Sequence, residues 1–75
     1  MSNENVTARL EGWWFDGVVM YGSIYGDTRG RWNDGHPIHT SYVTSDGPYA
    51  EGEVIQTKNS RYLLGKPLGT FVRRG

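Results

Sequence analysis

Glycine leaves this chain almost nowhere to build a helix. Eleven glycines are scattered through 75 residues, and no window of eleven or more residues sets apolar side chains at i, i+3, i+4 and i+7 without one intervening. Each would cost about 1 kcal/mol in a helix interior. Alternation with a period of two is plain instead, the pattern of half-buried strands.

The strands follow from that period and from the turn residues between them. Val6 to Phe15 reads as the first, with Val6, Ala8 and Leu10 on one face and Thr7, Arg9 and Glu11 on the other; Gly12 interrupts it as a bulge or bend would. Asp16-Gly17 is a hairpin signal. A return strand runs from Val18 to Tyr25, with Val18, Met20 and Ile24 opposed to Val19, Tyr21, Ser23 and Tyr25. Asp27 to Gly30 and Asn33 to Gly35 supply turn chemistry. Further strands are expected at Ile38–Thr44, Glu53–Thr57 and Arg61–Leu64, with a turn at Lys58-Asn59-Ser60, a linker over Gly65–Gly69 and a short last strand over Thr70–Arg73.

The expected fold is all-β: a small SH3-like barrel or a strongly curved antiparallel sheet of five to six short strands. Residues 1–5 are polar and expected to fray, and 6–75 form a single domain. A chain this short has a core worth only a few kcal/mol net, on the order of 3–5. No cysteine staples it, so its three Trp, five Tyr and two Phe carry the burden of burial, and some of them are expected at the surface. Absence of cysteine fits a reducing cytoplasm. The N-terminus has neither the basic nor the apolar region of a signal peptide, and no run reaches membrane-spanning length.

Charge is balanced overall but unevenly placed. Residues 1–50 carry three arginines and six carboxylates; residues 51–75 carry five cations and two carboxylates. A dedicated duplex binder is usually clearly basic, so the balance does not favour that class.

No catalytic pattern emerges. His36 and His39 are spaced for opposite sides of a strand, which disfavours a shared metal, and no phosphate-loop motif is present. No enzyme activity, cofactor or metal is expected. The candidate chemistry lies in aromatics interleaved with arginines. Trp, Tyr and Arg dominate protein interfaces, and the same residues stack bases and hold phosphates. The chosen contact residues are Arg29, Arg31, Trp32, Tyr25, Trp14, Tyr49 and Arg61. Arg29 and Arg31 could together grip an anion, or could pair with Asp27 and Asp34 and fasten their own turn. In the Trp13-Trp14 pair one ring should face the core and the other solvent.

The stretch GSIYGDTRGRWNDGHPIHTSYV, Gly22 to Val43, with IQTKNSRYLLG, Ile55 to Gly65, resembles small phage and prophage proteins of unassigned function. That resemblance implies a bacterial host cytoplasm and an accessory role in infection. The resulting expectation is a non-enzymatic phage protein that binds a host protein, as an inhibitor of host defence. Two alternatives are a single-strand nucleic-acid-binding domain, with Lys58, Arg61, Lys66, Arg73 and Arg74 on phosphates, and an oligomeric sponge holding a nucleotide between Thr40-Ser41, Asn59-Ser60 and the arginines.

Overall fold

The computed structural model describes residues 6–68. Residues 1–5, expected to fray, residues 70–73, expected as a last strand, and the Arg73-Arg74 tail lie outside them. Five strands form one sheet: β1 (Ala8–Phe15), β2 (Met20–Tyr25), β3 (His36–His39), β4 (Val54–Gln56) and β5 (Arg61–Leu64). Their order is β3-β2-β1-β5-β4. Neighbours are antiparallel except β1 and β5, which run parallel with Arg9 opposite Leu63. The fold is all-β as expected, but the sheet is mixed and not closed, where a small SH3-like barrel or a strongly curved antiparallel sheet was expected.

Local chemistry explains the first hairpin. Asp16 Oδ1 accepts the N–H groups of Val18 and Val19 at 2.8 and 2.9 Å, which turns the chain into β2. The β1–β2 register shifts between Glu11 and Trp14. Gly12 takes φ +60 there, a conformation that side chains rarely adopt, so the anticipated bulge is present. After the bulge Trp13 turns inward, 7% exposed, and Trp14 outward, 45% exposed, as the adjacent pair requires. The Trp13 indole N–H donates to Gly65 O at 2.8 Å.

The strand order puts β3 and β4 on opposite edges, so residues 40–53 must cross one face of the sheet. Thr40 N–H donates to Met20 O and Val43 N–H to Val18 O on one side; Thr44 N–H donates to Gln56 O and Lys58 N–H to Tyr42 O on the other. These bonds tie the segment to the start of β2 on one side and to the edge strand β4 on the other without closing a regular ladder. They also explain why the alternation over Ile38–Thr44 forms a strand only at its start. Ala8, Leu10, Trp13, Met20, Ile24, Ile55, Tyr62 and Leu64 make the core, and Ile38, Val43 and Tyr49 pack against it.

The stretch from Gly65 to Leu68 is more than a linker. Gly12 N–H donates to Lys66 O, Leu68 N–H donates to Trp13 O, and Trp13 bridges Pro67 in the parallel sense. It continues the β1–β5 pairing past the bulge.

Candidate functional site

Residues 40–53 cover one face of the sheet; among the described residues no segment crosses the other. Strand pleating sends alternate residues to that open face. It carries Arg9, Glu11 and Trp14 from β1, Tyr21, Ser23 and Tyr25 from β2, Pro37 and His39 from β3, and Arg61 and Leu63 from β5, as their cross-strand partners show.

Two aromatic groupings organise this face. Trp14 stacks on Tyr21 at 4.3 Å between centroids and 7° between planes. Tyr21 in turn meets the His39 ring at 5.7 Å, so rings from three adjacent strands form one row. At the other end, the Arg9 guanidinium sits 4.9 Å from the Tyr25 ring centre. Arg9 Nε also donates to Glu11 Oε2 at 2.6 Å. Glu11 Oε1 accepts the Lys66 N–H at 2.9 Å. That backbone bond, opposed by burial and aided by the Arg9 charge, holds the Glu11 carboxyl below its ordinary pKa. The pair with Arg9 is partly exposed, and its main effect is to orient the guanidinium over Tyr25.

The turn between β2 and β3 is organised by Asp27. Its carboxylate has no exposed surface and accepts N–H groups from Arg29 at 3.1 Å, Arg31 at 2.8 Å and Trp32 at 3.1 Å. Loss of solvation pushes this carboxyl's pKa up, but the three N–H groups and the Arg31 charge outweigh it, and the net shift is downward. Arg31 Nε stands 3.7 Å from Asp27 Oδ2, and Arg29 Nη2 donates to Asn59 O at 3.2 Å. Both arginines therefore engage their own chain, but of the pairing expected with Asp27 and Asp34 only Arg31–Asp27 forms, while Arg29 reaches out of the turn to Asn59. Asp34 Oδ1 accepts the Gly26 N–H at 2.9 Å and pins the far side of the turn. Trp32 remains exposed and stacks on His36 at 4.6 Å.

The sequence-chosen residues thus divide. Trp14, Tyr25 and Arg61 share the open face. Arg29, Arg31 and Trp32 belong to the Asp27 turn. Tyr49 lies on the covered side, half-buried, edge-on to Phe15 at 5.0 Å and donating its hydroxyl to Ser45 O at 2.7 Å. His39, which sequence offers only as a metal ligand, owes its place in the row to pairing with Tyr21 across the sheet.

A shallow cleft of about 360 Å³ adjoins the row where His39 ends it, lined by Val19, His39, Thr40, Ser41, Tyr42 and Lys58. Among the described residues no group of three or more His, Cys, Asp or Glu is placed to hold a metal ion. No family model, curated protein or solved structure matches this chain.

Proposed function

We propose that this chain is a non-enzymatic binding protein that engages a protein partner through the uncovered face of its sheet. One observation carries the reading: the Trp14–Tyr21–His39 row and the Arg9–Tyr25 pair lie together on the face that no segment of the described chain crosses. Exposed aromatics beside arginines are the composition of interface anchors. Their mutual stacking fixes the rings before a partner arrives, which lowers the ordering cost of binding.

The resemblance to phage and prophage proteins supplies the setting. The partner is then a bacterial host protein, met in the host cytoplasm, and the outcome is inhibition of a host defence. The bonds that tie residues 40–44 to Val18 and Met20 on one side and to Gln56 of the edge strand β4 on the other support classing the fold with SH3-like barrels, incompletely closed.

A second reading is single-stranded nucleic acid laid across the same rings, because a row of stacked side chains flanked by arginines can take bases and phosphates. Balanced net charge weighs against it.

Affinity capture from bacterial lysate distinguishes the two. Under the protein-partner reading, Trp14→Ala with Tyr21→Ala loses a discrete protein that Trp32→Ala retains, and nuclease treatment changes nothing. Retention by a folded Trp14→Ala/Tyr21→Ala variant would sink the face assignment. Loss of capture after nuclease, with affinity falling steeply as salt rises, would transfer it to nucleic acid.

A further inference from the structure

The cleft beside His39 has a chemistry of its own. Its walls are fastened to each other: Lys58 N–H donates to Tyr42 O at 2.8 Å, and Asn59 N–H donates to Ser41 Oγ at 3.3 Å. Its floor is fixed as well. Thr40 Oγ1 accepts the Met20 N–H at 3.1 Å and donates to Ser41 O at 2.7 Å, so this hydroxyl serves the scaffold. What remains for a ligand is the Lys58 ammonium, the Ser41 hydroxyl proton, the His39 imidazole, the apolar surface of Val19 and the Tyr42 ring, 62% exposed.

These groups select for charge and shape. No carboxylate lines the cleft, and among the described residues none pairs with Lys58. A cation and a hydroxyl donor favour an anion, and phosphate oxygens accept from both. A solvent-facing tyrosine ring and a valine favour a planar apolar body beside that anion. The volume falls in the usual range for small-molecule sites, roughly 300–1,000 Å³.

We infer that this cleft is a nucleoside-phosphate site, with phosphate on Lys58 and Ser41 and the base against Tyr42. The same chemistry is offered by a free mononucleotide and by the terminal nucleotide of a single strand. The inference does not rest on the protein-partner reading: Lys58 and Tyr42 are not in the stacked row.

The test is an amide NMR titration of the full chain with adenosine monophosphate, guanosine monophosphate, inorganic phosphate and a short single-stranded oligonucleotide. Saturable shifts are expected at Val19, Ser41, Tyr42 and Lys58. Lys58→Gln should weaken nucleotide binding about tenfold, the scale of a lost charge-assisted hydrogen bond. Tyr42→Ala should bring the nucleotides down to the affinity of inorganic phosphate, while Trp32→Ala, in the Asp27 turn, should leave the titration unchanged. Tighter binding of the oligonucleotide than of the mononucleotides identifies a strand end as the source; equal or weaker binding identifies the free nucleotide. Absence of cleft shifts at millimolar nucleotide, or equal affinity in folded Lys58→Gln, overturns the assignment.

Discussion

Trp14 lies face to face on Tyr21, with ring centroids 4.3 Å apart and planes 7° from parallel. Its sequence neighbour Trp13 is buried and hydrogen-bonded to Gly65 O. Two adjacent tryptophans thus have opposite consequences. Trp14→Ala should cost only about 0.5–1.5 kcal/mol of stability, the worth of an aromatic pair. Trp13→Ala should cost about 3–5 kcal/mol, comparable to the whole stability of so small a domain, and leave the chain largely unfolded. Trp13→Phe, which loses the indole N–H, should remain folded with a smaller loss. Urea titrations of the three variants check the order, and a Trp14→Ala chain as damaged as Trp13→Ala would contradict the inside–outside assignment.

Glycine at position 65 is required by Glu11. A side chain there would run into the Glu11 carboxylate, which is itself bonded to Lys66 N–H and Arg9. The obstruction is the end of a flexible side chain, so the fold should survive Gly65→Ala at a cost of about 1–3 kcal/mol, the range for overpacking. Combined with Glu11→Ala, which has already removed the obstacle, the same change should cost much less. A double-mutant cycle reads the difference, and strict additivity would show that the two positions do not collide.

Acid should destabilise the chain through three carboxylates. Glu11 is held below its ordinary pKa chiefly by Lys66 N–H, Asp16 by the Val19 and Val18 N–H groups, and Asp27 by its three N–H donors against the opposing effect of burial. A group whose pKa is lower folded than unfolded stabilises the fold above its unfolded value, about 4, and ceases to as pH falls through the folded value. Stability from these groups should therefore be level above about pH 5 and decline below about pH 4. Because most of the partners are backbone N–H groups, 0.5 M salt should alter the decline little. Urea midpoints from pH 2 to 7 measure it; a midpoint that rises on acidification would contradict the assignment.

Removing the Asp27 carboxylate should loosen the turn rather than the sheet. Asp27→Ala leaves the N–H groups of Arg29, Arg31 and Trp32 without their acceptor. Amide exchange at these three positions should accelerate by an order of magnitude or more. Leu10 and Ile24, in the core of β1 and β2, should change little. Uniform acceleration across both sets would mean that Asp27 supports the whole fold.

Much of the scaffold could be read from side-chain alternation. Arg61–Leu64 appears as the strand expected, Asp16-Gly17 turns the first hairpin, and the Gly12 bulge reverses the sense of Trp13 and Trp14. The parallel β1–β5 pairing could not be read, because alternation fixes which side chains share a face but not which strand lies beside which. The candidate face was half-visible for the same reason. Arg9 with Glu11, and Tyr21 with Tyr25, could each be assigned a common side. That no described segment crosses this side is seen only once residues 40–53 are placed on the other one. The contribution of Asp27 was hidden differently: its turn resembles any glycine-rich loop until three N–H groups are seen to converge on one carboxylate.

Photo-crosslinking from the centre of the open face tests the binding claim most directly. Ser23 lies there between Glu11 and Pro37 in the register of three strands. With Ser23→p-benzoylphenylalanine, irradiation in bacterial extract should yield one discrete, nuclease-resistant protein adduct. The same photoreactive residue replacing Asp46, in the segment crossing the other face, should yield none. No adduct from position 23, or the same adduct from both positions, would contradict the assignment of this face as the contact surface.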